Sequence, residues 1–186
     1  MRILGISGSL RADSHNTALL RAAAELLPPG AELELFDRLR DVPPFDEDVD
    51  SPELQGPAVA ALKAAIANAD AVLIATPEYN HSIPGVLKNA LDWVSRPVKD
   101  NVLRRKPVAV VGASTGLFGA VWSQAETRKV LGAIGADVVD RELPVMQAHM
   151  QFDAYGNLHE DDLRDQLAEH VGALVVAARE REAVAA

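Results

Sequence analysis

Residues 5–17, GISGSLRADSHNT, gather three serines, an arginine, an asparagine and a threonine just after an apolar run. Ser9, Ser14 and Thr17 bring hydroxyl donors, Asn16 an amide and Arg11 a guanidinium. With the free backbone N–H groups of a helix beginning nearby, these are the donors a terminal phosphate takes up. The same residues also suit a plain helix start, with Ser14 or Asn16 as cap and Arg11 in solvent. Two more polar loops, TPEYNHSIPG at 76–85 and ASTGLFG at 113–119, follow later apolar runs. Other phosphate motifs fit poorly. The chain has no GxxxxGK[ST] and no GxGxxG after its first strand, and the glycines of GASTGLFG lack a matching acidic residue downstream.

The elements that must position these loops are legible from periodicity. RILGIS reads as a short buried strand and HNTALLRAAAELL as a helix, stopped by Pro28, Pro29 and Gly30. AELELFD alternates apolar and charged residues, as a strand near a sheet edge does. A proline-rich loop, RLRDVPPFDEDVDSPELQGP, precedes the helix AVAALKAAIANA. DAVLIAT and KPVAVVGAS read as the third and fourth strands, with PGVLKNALDWVS as the helix between them. AVWSQAETRKVLGAIG, ADVVDRELPV and HEDDLRDQLAEHVGALVVAARERE read as helix, fifth strand and closing helix. Strands alternating with helices predict a parallel sheet covered on both faces. In strand order 2-1-3-4-5 the loops after strands one, three and four are neighbours at one rim, where such sheets bind ligands.

Composition sets outer limits. The 186 residues, 48% of them hydrophobic, suit one domain spanning 1–186. Against 18 basic side chains stand 27 acidic ones, a net charge of -9, which argues against nucleic acid as the main partner. The absence of cysteine excludes disulfides, thiolate metal sites and cysteine nucleophiles. His149, His159 and His170 lack metal-ligand spacing, so no metal site is expected. MRILGISGSL does not look like a signal peptide and no run is long enough to span a membrane, so a cytoplasmic protein is expected. Lys88 and Asp92 sit at i,i+4 spacing and read as a helix-surface ion pair, the acidic DEDVDSPE as a solvated loop, and His81 as an exposed loop residue.

TPEYNHSIPGVLKNALDW, taken with GSLRADSHNT and GASTGLFGA in the same order, resembles the NADPH-dependent FMN reductase family. That flavodoxin-like family includes quinone, azo-dye and chromate reductases. Pattern elements in PPFDEDV and FDAYGNL extend the resemblance along essentially the whole chain. It implies a three-layer sandwich in which Ser9, Arg11, Ser14, Asn16 and Thr17 form the FMN-phosphate loop. It also implies that Pro77, Glu78, Tyr79 and Asn80 lie along the isoalloxazine edge and that Ser114 and Gly116 border the ring from the other side. Where the family often has paired glycines this chain has Gly119 and Ala120.

The activity so implied is hydride transfer from NADPH or NADH, through FMN, to a small acceptor such as a quinone, azo compound, chromate or free flavin. The flavin carries the chemistry, so no side chain need be a nucleophile or an obligatory acid or base. The resemblance further implies a homodimer or homotetramer, with Trp93 and Trp122 as aromatic anchors. A one-electron carrier of the same fold is the alternative, and Arg11 with the PEYN segment counts against it. A receiver-type signalling domain would need an acidic cluster after strand one, where this chain has serines.

Overall fold

Alternate residues of each apolar run face opposite layers. In the computed structural model, which describes residues 1–153 and 156–185, β1 (Arg2–Ser7) turns Ile3 to one core and Leu4 and Ile6 to the other. All residues of β3 (Ala71–Ala75) and β4 (Pro107–Ala113) are buried. The first core packs these strands on α1 (His15–Glu25) and α5 (Asp161–Ala185) through Leu19, Leu20, Leu167 and Leu174. The second packs them on α2 (Gly56–Asn68), α3 (Gly85–Val94) and α4 (Val121–Ile134) through Leu62, Leu91 and Leu131. β2 (Glu32–Phe36), with its alternating exposure, is an edge strand.

The sheet is parallel, in the order β2-β1-β3-β4-β5, the flavodoxin-like arrangement expected from the sequence. The fifth strand comes in two pieces. β5 (Asp137–Val138) pairs with the start of β4 and β6 (Pro144–Val145) with its end. Between them Asp140, Arg141 and Glu142 are exposed, and Arg128 of α4 meets the carboxylates of Asp140 and Glu142 at 3.5 and 2.8 Å. Three consecutive charged side chains cannot alternate onto a buried face, so the chain leaves the ladder there.

His170 of α5 lies behind this break. It is 2% exposed, and its Nε2 has no hydrogen-bond partner among the described residues. Burial lowers its pKa to about 4, helped by Arg141 and Arg128 and opposed by a bond to the Val110 carbonyl. The unfolded chain therefore takes up a proton near pH 6.5 that the native state refuses until about pH 4. Stability should be unaffected by this group above pH 6.5 and fall between pH 6.5 and 4, by up to about 3 kcal/mol. Urea unfolding of wild type and His170→Gln at pH 7 and 4.5 checks this, the variant losing less on acidification.

The proline-rich loop is held down by α3. Trp93 Nε1 and Asn89 Nδ2 both donate to the Pro43 carbonyl at 2.8 Å, Asn89 Oδ1 accepts from Phe45 N–H, and the Phe45 ring meets Trp93 edge-on. Trp93 is thus 0% exposed, and it cannot be the subunit anchor the resemblance suggested. Trp122 is 40% exposed. Lys88 and Asp92 form the expected pair at 2.6 Å, at the surface. No helix among the described residues is long and apolar enough to cross a membrane, and none of their His, Asp and Glu side chains cluster as metal ligands do. Ala154 and Tyr155 of the FDAYGNL stretch lie outside the described residues.

Candidate functional site

β1 ends at Ser7, and the chain must turn at once to start α1. Ser14 caps that helix, its hydroxyl oxygen accepting from Thr17 N–H at 3.3 Å and leaving its O–H to donate. Thr17 Oγ1 donates to Ser7 Oγ at 2.9 Å, and Ser7 Oγ also receives the Ser9 N–H at 3.4 Å. Ser7 ties the loop together, although the sequence reading passed over it as a strand end. The first turn of α1 carries no acidic side chain, so its positive end is uncompensated.

This loop faces a cavity of about 210 Å³ lined by Ser7, Ser9, Arg11, Thr17, Arg21 and Arg40, among others. Arg40 comes from the short turn after β2 (Leu39–Asp41) and donates to the Leu10 carbonyl at 2.7 Å. Arg21 lies one helical turn beyond Thr17. Neither was legible as a site residue. Arg21 reads as an ordinary helix-surface residue, and Arg40 stands 29 positions away from Arg11 in the proline-rich loop. Arg11 itself is exposed, with one contact to Asp13 O at 3.4 Å. Three guanidinium groups, three hydroxyls and a helix N-terminus thus surround one small space, which fits a phosphate dianion.

Asn16 departs from the expectation. Its residue is 3% exposed, its Nδ2 donates to Ala113 O at 2.9 Å and its Oδ1 accepts from Ala113 N–H at 3.0 Å. Both ends of the amide are therefore occupied in stitching α1 to the end of β4. The side chain holds the first loop beside the third and is not a phosphate donor.

A second cavity, of about 390 Å³, adjoins the first at Leu10 and Arg11 and is bounded on its far side by Tyr79, Pro84 and Val86. Tyr79 and Ser82 close a tight turn with reciprocal backbone bonds at 3.3 and 3.1 Å. Asn80 and His81 inside that turn take left-handed φ values of 54° and 60°. Tyr79 is 49% exposed and borders the cavity, whereas Pro77 is buried behind Gly8 and Asn80 is exposed outside the lining. Glu78 turns away from the cavity. Its Oε2 accepts the N–H groups of Trp122 and Ser123 at 3.0 and 3.1 Å, capping α4, and its Oε1 lies 3.4 Å from His81 Nδ1. Its carboxylate fastens the second loop to the helix after the third.

The third loop is zipped to the segment after β6. Ser114 N–H donates to Val145 O at 3.1 Å, and the carbonyls of Ser114 and Gly116 accept from Ala148 and Gln147 at 2.9 Å. Gly119 has φ 58°, and a Cβ there would sit 2.5 Å from the Pro144 carbonyl carbon, so only glycine fits. Ala120 follows with φ 60°, a conformation that costs a non-glycine residue about 1 kcal/mol. Neither Ser114 nor Gly116 lines the two cavities; their loop forms the wall beside them. Along this rim Leu117, Phe118, Trp122, Met146 and Met150 are exposed, with Trp122 packed on Phe118 and His81.

His15, at the start of α1, stacks on Phe152 with ring centroids 5.9 Å apart. Burial, then the charges of Arg11 and His149, lower its pKa.

The chain is similar to several known reductases. An NAD(P)H-dependent FMN reductase of Pseudomonas aeruginosa is 42% identical over 175 residues, covering 94% of this chain and 93% of that protein. A 2-hydroxy-1,4-benzoquinone reductase of a Burkholderia species is 40% identical, with 90% of each chain covered. FerB, a flavoenzyme NAD(P)H:(acceptor) oxidoreductase of Paracoccus denitrificans, superimposes with a TM-score of 0.85 at 34% identity, over 96% of this chain and 97% of that one. Residues 1–150 match the model of one family over most of the chain, and by that match and these relatives the protein belongs to the NADPH-dependent FMN reductases.

Proposed function

We propose that this protein passes a hydride from NADPH or NADH, by way of FMN held at the rim, to a small planar acceptor of the quinone type. The observation that carries the reading is the pair of cavities meeting at Leu10 and Arg11, one cationic and phosphate-sized, the other open and partly apolar. When bound, FMN supplies the hydride-relay chemistry. Ser7, Ser9, Ser14, Thr17, Arg11, Arg21 and Arg40 would hold its phosphate, and Tyr79 with the backbone of the second loop would border the ring. Glu78, Asn16, Ser114 and Gly116 fix the walls. No side chain is assigned a proton-transfer role. Family membership favours this reductase over the one-electron carrier.

Residues 1–186 are read as one FMN-binding unit and the protein as cytoplasmic. The exposed apolar rim around Phe118 and Trp122 supports a homodimer or homotetramer. Sedimentation should show no active monomer at micromolar concentration.

The direct test is spectroscopic. Bound flavin should lose its visible absorbance on adding NAD(P)H and regain it on adding a quinone, with ping-pong kinetics. Failure of NAD(P)H to reduce the bound flavin would overturn the reading. A second expectation concerns His15, whose lowered pKa rests partly on Arg11. A phosphate dianion beside Arg11 would offset the charge of that guanidinium, so FMN should raise the His15 midpoint in a proton-NMR titration. Riboflavin, which lacks the phosphate, should not.

A further inference from the structure

At the opposite end of the sheet from the rim is a cavity of about 510 Å³. Arg104, Arg105, Pro107, Asp137, Ala177, Glu180, Arg181 and Val184 form its walls, where the approach to β4 meets the last turns of α5. The seven residues of β4 put it about 20 Å from the flavin rim. It belongs to neither cavity of that site.

Its cations are unpaired. In this acidic chain Arg38, Arg128 and Arg141 each meet a carboxylate within 4 Å. The guanidinium groups of Arg104, Arg105 and Arg181 have no hydrogen bond or ion pair among the described residues. Asp137 and Glu180 share the cavity without reaching ion-pair distance of any of them. Arg104 lies over Gly135, its Nη1 3.4 Å from where a Cβ would stand, so a larger residue at Gly135 would crowd it. Arg105 is held by its N–H to the Gly135 carbonyl at 2.7 Å and keeps a left-handed φ of 56°.

Lys106, next in the chain, is not part of the cavity lining. It is buried, its ammonium donates to the Ala67 and Ala69 carbonyls, and burial followed by the charge of Arg181 lowers its pKa to about 8, with Asp70 opposing. The three guanidinium groups against the carboxylates of Asp137 and Glu180 leave an excess of positive charge facing a space of ligand size. Pro107, Ala177 and Val184 provide apolar surface beside it. Cavities of this volume are typical of small-molecule sites, and unpaired guanidinium forks match phosphate oxygens.

We propose that this cavity binds a phosphorylated molecule of nucleotide size, its phosphate on Arg104, Arg105 and Arg181 and its ring on the apolar wall. The probe is AMP, with adenosine as the uncharged control, titrated calorimetrically into FMN-saturated protein so that the rim phosphate site is filled. AMP should bind at least 10-fold more tightly than adenosine. The double variant Arg104→Ala/Arg181→Ala should weaken AMP at least 10-fold and leave FMN affinity within about two-fold of wild type. The proposal is overturned if AMP binds no better than adenosine, or if the folded double variant keeps its AMP affinity. FMN affinity is read separately in both proteins, so a failure here is distinct from a failure of the flavin site.

Discussion

Asn16→Ala is expected to lower the stability of the FMN-free protein by about 2–5 kcal/mol. The Asn16 amide satisfies both the N–H and the C=O of Ala113, at a position 3% exposed. Alanine would leave those two backbone groups unpaired in the interior, each at a cost of about 1–3 kcal/mol. Asn16→Asp would keep the acceptor and lose the donor, placing a carboxylate against the Ala113 carbonyl, and should be about as harmful. Urea unfolding without flavin is the measurement. A phosphate-donating Asn16 would leave this stability near wild type and weaken FMN alone.

The cationic pair at the phosphate cavity should behave in the opposite way. Arg11→Ala removes a charge-assisted bond worth about 1.5–3 kcal/mol, so FMN affinity should fall about 10- to 100-fold while riboflavin affinity barely changes. Arg11→Lys keeps the charge without the fork and should fall between. Arg40 should show a mixed pattern. It lines the cavity and also fixes the Leu10 carbonyl, so Arg40→Ala should weaken FMN strongly and riboflavin slightly. The double variant should lose 100-fold or more for FMN, less than the product of the singles if the two share one phosphate. Isothermal titration with both ligands decides. Equal losses for FMN and riboflavin would mean that the arginines shape the loop and do not meet the phosphate.

These contrasts mark what the sequence could and could not reveal. The strand order and the convergence of three loops follow from periodicity and the order of apolar runs, because buried parallel strands admit few alternatives. Arg11, Ser9 and Thr17 were legible because they sit within the loop that uses them. Arg40 was not, since its place depends on where the chain returns after β2, which no local pattern encodes. The roles of Asn16 and Glu78 were misjudged for a related reason. Both are polar residues in a ligand loop, and only their long-range partners, Ala113 and the start of α4, show that they build its walls. Trp93 was expected to pack, and it does, but under the Pro43–Phe45 segment of its own chain and not at a subunit contact, because that segment lies nearly fifty residues earlier. The break in the fifth strand was signalled by Asp140, Arg141 and Glu142, three consecutive charges inside the run ADVVDRELPV.

That break has a bearing on how this chain could change in length. β5 and β6 each grip β4 on their own, at Pro107–Val108 and at Gly112–Ala113, so neither depends on the path between them to keep its register. Residues 140–142 already run through solvent and carry charge. An excursion spliced in at that point would lengthen the chain without shifting a strand. The sheet therefore has a built-in site for acquiring new sequence, and the outward course of residues 140–142 means that whatever grew there would begin at the surface.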